Sequence, residues 1–174
     1  TRMAVTIGEQ KVVLEANDEA TTSNHDAFIL RLDSSGAPRW IHQISSPGHD
    51  RARKVALLRD GSAFVTGGFC EGCDTVLTTI HPSGDAALTS AGGEDAFVVK
   101  IDADGALLWA KSFGGVGEDR AQSIAVFKDE SGFVLSATTL CLEKVKDEIW
   151  DIACGGGSLM GAMSFTARSG GRFF

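Results

Sequence analysis

Four cysteines are the residues whose type and spacing come nearest to chemistry. Cys70-Glu-Gly-Cys73 is a close pair, and Cys141 and Cys154 form a second, wider one. Both pairs fall in the same kind of connector, between the second and third strands of successive repeated units. Three chemistries fit thiols so placed. Two local disulfides, Cys70 with Cys73 and Cys141 with Cys154, would staple long loops. A four-thiolate zinc site would bridge adjacent units, although the gap from Cys141 to Cys154 is not zinc-knuckle spacing. Unpaired thiols are the third. Pairing would favour an extracytoplasmic or luminal compartment.

Other polar groups are better explained by turns and caps. Asp102-Ala-Asp-Gly105 could open a calcium loop, but the oxygen count is low and no Glu stands at the twelfth loop position. Turn chemistry accounts for it, as it does for Asp33-Ser-Ser-Gly36. Gly48-His-Asp-Arg-Ala52 and Gly117-Glu-Asp-Arg-Ala121 place Asp50, Arg51, Asp119 and Arg120 at the start of matching strands. Such charges either ring one mouth of a central channel or serve structure, with Asp capping backbone amides and Arg pairing between units. Recurrence in every unit is what architecture requires. His25, His42, His49 and His81 show no ligand spacing. No Ser/His/Asp order, HExxH motif or phosphate-cradling glycine loop is present. Gly114-Gly-Val-Gly117 precedes a strand and not a helix. No catalytic residue, cofactor site or metal ligand set is assigned, and no enzyme or cofactor is expected.

The elements that carry these residues repeat. Asp95-Ala-Phe-Val-Val-Lys-Ile-Asp-Ala-Asp-Gly-Ala-Leu-Leu-Trp109 restates Asp26-Ala-Phe-Ile-Leu-Arg-Leu-Asp-Ser-Ser-Gly-Ala-Pro-Arg-Trp40, 69 positions earlier. Phe97, Val99 and Ile101 alternate with Ala96, Val98 and Lys100, which is a strand period. Asp and Gly then turn the chain, and a second strand carries the Trp. Phe28, Leu30 and Leu32 share one face of the first copy. Each copy is therefore a β-hairpin anchored at Asp26, Phe28 and Trp40, or at Asp95, Phe97 and Trp109. Trp40 and Trp109 are expected to be buried. A weaker third copy runs from Gly156 to Phe174, with Phe174 in the Trp place.

A second pair of strands precedes each hairpin. Arg2-Met-Ala-Val5, Lys54-Val-Ala-Leu57 and Ser123-Ile-Ala-Val126 are three copies of one strand, each followed by a turn and a partner strand. The connector between 68 and 93 adds a short ribbon at Thr75-Val-Leu-Thr-Thr-Ile80. The chain thus divides into three four-strand units, about 2–45, 53–113 and 122–174. Four short strands per repeat at periods above 40 residues point to a propeller and not to a solenoid.

Composition agrees and sets bounds. With 174 residues and 43% hydrophobic content the chain can bury a sizeable core. Its 21 Gly against 3 Pro suit many tight turns. A net charge of −7 argues against a nucleic-acid partner. No apolar run is long enough to span a bilayer, and no signal-peptide pattern opens the sequence.

The second unit, with Asp95-Ala-Phe-Val-Val-Lys-Ile-Asp followed by Leu107-Leu-Trp109, then Phe113-Gly-Gly-x-Gly-x-Asp119 and Ser123-Ile-Ala-Val126, resembles the bacterial-type β-propeller repeat called SBBP. Leu88-Thr-Ser-Ala-Gly-Gly93 is also typical of it, and the strand phase is similar to NHL-type blades. The resemblance implies an all-β propeller segment of about three four-stranded antiparallel blades. It makes the Ile-Ala-Val strand innermost and the Trp strand outermost, and it brings no catalytic residues. Three blades leave an open arc, so further blades or protein partners are expected to complete it, within a longer polypeptide or a larger assembly. The expected role is a non-catalytic scaffold, a structural subunit for protein–protein interaction. The alternatives are a glycan- or calcium-binding surface module and part of a quinoprotein-like propeller enzyme, whose tryptophan-docking repeat the Asp-x-x-Gly-x-x-x-Trp pattern resembles.

Overall fold

The computed structural model describes residues 2–15, 25–69, 74–81, 84–115, 117–139 and 159–166. These residues are all-β and their strands pair antiparallel. The second unit is a single four-stranded sheet. Strands β5 (Arg51–Leu57), β6 (Ala63–Phe69), β9 (Asp95–Ile101) and β10 (Leu107–Phe113) lie side by side in that order. In the third unit β11 (Asp119–Val126), β12 (Gly132–Thr139) and β13 (Leu159–Thr166) form a three-stranded sheet in the same sense.

The first unit departs from the expected four-strand sheet. Strands β1 (Arg2–Ile7) and β2 (Gln10–Glu15) make a separate hairpin. Strands β3 (Ala27–Leu32) and β4 (Pro38–Ser45) instead share a sheet with β7 (Asp74–His81) and β8 (Gly84–Thr89), which are the connector ribbon. Each of these sheets is open.

Packing explains the difference. The face of β9 that carries Phe97, Val99 and Ile101 is fully covered by Ala27, Ile29, Trp40 and Ile44 of the first unit, with Val65 and Phe69 of β6 in the same cluster. The matching face of the first unit carries Leu30 and Ile41, and there the β1–β2 hairpin lies over it through Ile7, Val12 and Leu14. An apolar sheet face left in water would forfeit roughly 1.5–3 kcal/mol for each large side chain, so the hairpin is better spent as a cover than as an edge. Phe28, which holds the place of Phe97, remains 49% exposed. On the other side of the second unit, Phe64, Ala96 and Val98 meet Ala121, Ile124 and Leu135 of the third. The second sheet is therefore sandwiched, and every residue of β6 is buried.

Turn chemistry holds the hairpins. The Asp33 carboxylate accepts the amides of Ser35 and Ala37 at 2.9 and 3.0 Å, and Asp102 does the same for Asp104 and Ala106 at 2.9 and 2.7 Å. The Asp102–Asp104 pair is thus a turn built on local side-chain acceptors. The turn before β12 is less expected. Its left-handed residue is Glu130, at φ 58°, where the second unit has Gly61. The carboxylate of Glu130 accepts the Arg59 amide at 2.8 Å, which couples the turns of adjacent units.

Candidate functional site

The charged residues singled out from the sequence gather where the chain enters β5, β9 and β11. Three loops there share one device. The carboxylate of Asp50 accepts the amide of Ser46 at 2.7 Å, Asp95 that of Ala91 at 2.6 Å, and Asp119 that of Gly115 at 2.9 Å. In each case the acceptor lies four residues after the donor, so every loop is closed by its own terminal Asp. All three acids are buried, at 2%, 1% and 3% exposure.

A second device joins the units. The Asp50 amide donates to the His25 carbonyl at 2.6 Å, and the Asp119 amide donates to the Glu94 carbonyl. His25 and Glu94 are equivalent, each standing just before the Asp-Ala-Phe strand. The side chains at the second seam form an ion cluster. Arg120 Nε donates to Glu94 Oε2 at 2.6 Å, Arg120 Nη2 to Glu118 at 2.7 Å, and Arg51 Nη1 to the same Glu94 oxygen at 3.1 Å. Arg51 and Glu94 belong to the second unit and Arg120 to the third, so one buried carboxylate ties β5 and β11 together.

The cluster carries excess negative charge. Glu94 Oε1, Asp95 Oδ1 and Asp119 Oδ1 are buried with no hydrogen-bond partner. Burial, aided by the charge of Asp119, pushes the Asp95 carboxyl above the usual carboxylate range.

Beside this cluster is an open groove of about 590 Å³, lined by Asp26, Phe28, Asp50, Arg51, Arg53 and Gln122. Asp26 accepts Gln43 Nε2 at 3.1 Å. Here β3, β5 and β11 of three successive units approach one another. The groove brings together Asp26, Phe28, Asp50 and Arg51, while Asp95, Asp119 and Arg120 sit at the neighbouring seam. The remaining anchors are structural. Phe97 is fully buried and Trp40 is 4% exposed. Trp109, expected to be buried, is only half-buried, because its cover is the edge of the third unit, where it stacks on Phe133 at 6.4 Å between ring centroids. Cys70, Cys73, Cys141, Cys154 and Phe174 lie outside the described residues.

Two features were missed. Glu94 has no charged counterpart in the first copy of the hairpin, so the repeat alone did not mark it. His25 and His49 show no ligand spacing in the sequence, yet their Nδ1 atoms meet 3.0 Å apart. The signal was available in the alignment of the copies, because His25 and His49 occupy the places of Glu94 and Glu118.

No protein-family model matches the chain, and no curated protein matches it. Among the described residues no helix is long and apolar enough to cross a membrane.

Proposed function

We propose that this chain supplies a segment of about three blades of an SBBP- or NHL-like β-propeller, the first of them rearranged around the β1–β2 hairpin and the connector ribbon, and acts as a non-catalytic scaffold for protein partners. The observation that carries this reading is the recurrence of one interlock at both seams. At each, the Asp that opens an inner strand donates its amide to the carbonyl before the preceding hairpin. A linkage repeated with the repeat is how a blade array is held in register, since stability in such arrays comes from nearest-neighbour interfaces.

The charge pattern supports the same role. Asp50, Asp95 and Asp119 are engaged in closing loops, and Arg51 and Arg120 in joining strands. Among the described residues, large apolar side chains stay exposed on β2, β3, β5 and β10. Val55 and Leu57 on β5 are 48% and 74% exposed, and Phe28 on β3 is 49% exposed. In a completed propeller such positions face further blades or a bound protein.

Light scattering and small-angle X-ray scattering in solution test the reading. The expected result is an annular particle larger than one 18.3-kDa chain, a dimer of arcs making a six-bladed ring being the simplest. A monodisperse single chain, cooperatively folded and closed on itself without a partner, would overturn it.

A further inference from the structure

We propose that His25 and His49 bind one divalent first-row transition ion, Cu2+, Ni2+ or Zn2+, across the seam between the first and second units.

The geometry comes first. The two Nδ1 atoms are 3.0 Å apart, with ring centroids at 5.1 Å and planes inclined by 39°. Imidazole nitrogens bind these ions at about 2.0–2.1 Å, so two of them in adjacent positions on one ion stand about 2.9–3.4 Å apart. The pair already has the bite of a two-nitrogen chelate. Without an ion, one ring must present Nδ1–H and the other a bare lone pair, and a single proton lies between them. An ion replaces that proton but sits off the line between the nitrogens, each ring turning about its side-chain torsions so that its Nδ1 lone pair meets the ion.

The backbone holds the pair ready. The Asp50 amide donates to the His25 carbonyl at 2.6 Å, next to both imidazoles in sequence. The Asp50 carboxylate in turn accepts the Ser46 amide at 2.7 Å and the Ser46 hydroxyl at 2.8 Å. Binding therefore asks little reordering of the loop. His25 is exposed and His49 half-buried, so an ion reaches the site from water, and water completes its coordination. Among the described residues no three His, Cys, Asp or Glu side chains converge on a metal position. The site is thus open and two-donor, and its preference follows ligand type, with Cu2+ above Ni2+ and Zn2+.

The repeat supplies an independent argument. At the second seam the equivalent positions are Glu94 and Glu118, and a cation, the Arg120 guanidinium, bridges them at 2.6 and 2.7 Å. At the first seam Arg51 holds the place of Arg120, yet it donates to Glu94 at 3.1 Å. So the first seam has exchanged two carboxylates for two imidazoles while its arginine is engaged elsewhere. Neutral nitrogen donors suit a transition ion where carboxylates suit a guanidinium.

The test uses the full chain, with any free thiols of Cys70, Cys73, Cys141 and Cys154 alkylated so that they do not compete for the ion, and with prior chelator dialysis. Cu2+ is titrated by calorimetry and followed by electron paramagnetic resonance. One equivalent should bind with hyperfine coupling to two nitrogens. His25→Gln and His49→Gln should each weaken binding by roughly tenfold or more, at least the loss seen for an outer-shell partner. His81→Gln should leave it unchanged. Should a variant misfold, Cu2+ added to the wild-type chain at substoichiometric levels must broaden the His25 and His49 imidazole resonances first. If a folded His25→Gln/His49→Gln double variant binds Cu2+ as tightly as wild type, or if other residues broaden first, the pair is only a hydrogen bond and the proposal fails.

Discussion

The indole of Trp40 closes over Gly105, so near that a Cβ added to Gly105 would lie 2.5 Å from the indole Cγ. The two residues belong to different hairpins. Trp40 Nε1 also donates to the Ala103 carbonyl at 3.2 Å, and Arg31 Nη1 donates to the Ala103 and Gly61 carbonyls at 2.7 and 2.8 Å. The turn of one hairpin is therefore the seat for the aromatic anchor of the previous one. Gly105 is needed twice, for its φ of 91° and for the space it leaves. Gly36, the same turn position in the first copy, has φ 83° but nothing within 4 Å of an added Cβ. Gly36→Ala should cost about 1–2 kcal/mol, the left-handed penalty alone. Gly105→Ala should cost distinctly more, up to the roughly 3–5 kcal/mol of losing the Trp packing. Denaturant unfolding of both variants separates the terms; equal losses would mean that the seat is not tight.

Glu94 is the shared acceptor of two arginines, and its own side chain is only 10% exposed. Glu94→Ala should destabilise the chain by about 1.5–3 kcal/mol, the range for hydrogen bonds to charged groups. Arg120 is 31% exposed and has the shorter contact, Arg51 is 38% exposed and has the longer. Arg120→Ala should thus be the costlier of the two arginine changes. Chemical denaturation of the three single variants checks the order, and a larger loss at Arg51 would reverse the assignment of the main link.

Much of this could be read from residue order alone, where the determinant is local. Asp33 and Asp102 form turns because a carboxylate accepts amides two and four residues on, an interaction fully contained in the Asp-x-x-Gly words. The alternation of Phe97, Val99 and Ile101 likewise marks one face of β9. What escaped depends on surfaces meeting across the chain. Nothing in Met3-Ala-Val5 or Val12-Val-Leu14 says that these strands cover the face of Leu30 and Ile41 instead of extending the sheet beside β3. The contact of His25 with His49 arises because two loops are pinned together by the Asp50 amide, not because of any spacing between imidazoles. Glu130 in a left-handed turn contradicts its own preference and is held by the Arg59 amide, a partner in the neighbouring unit.

His42 gives the fold a pH response near neutrality. Its imidazole is 1% exposed, and Nε2 donates to the Gly105 carbonyl at 2.9 Å. Burial lowers its pKa below the usual 6.5, with the Gly105 contact and the Asp102 charge only partly offsetting this. The unfolded chain therefore takes up the proton first as pH falls. This contribution to stability is complete above 6.5 and is lost as pH falls through the lower, folded value. The melting temperature should decline between pH 7 and pH 5.5, and His42→Gln, which keeps a donor toward Gly105, should flatten that slope. The turn acids Asp33, Asp60 and Asp129 have lowered pKa values from their Ser hydrogen bonds, and their loss is confined to the region below 3.8. An unchanged slope in His42→Gln would assign the effect to another group.

Asp95 should behave with the opposite sign. Its carboxylate is buried, one oxygen accepts the Ala91 amide at 2.6 Å, and the other has no partner while Asp119 lies close by. Burial first, and then the Asp119 charge, raise its pKa above 3.8. The folded state thus keeps a proton that the unfolded chain has released. Stability from this group is complete below 3.8 and is lost as pH rises through the folded value, so at neutral pH the ionised acid is a burden on the seam. Asp95→Asn keeps an oxygen for the Ala91 amide, removes the repulsion, and adds an N–H toward Asp119. It should unfold at equal or higher denaturant than wild type at pH 7, with the gap closing toward pH 4. Asp95→Ala leaves the Ala91 amide unpaired and should lose about 1–3 kcal/mol at either pH. Unfolding curves at the two pH values decide the matter. If Asp95→Asn is the weaker protein at pH 7, the negative charge is itself stabilising, and some cation or amide must be answering it.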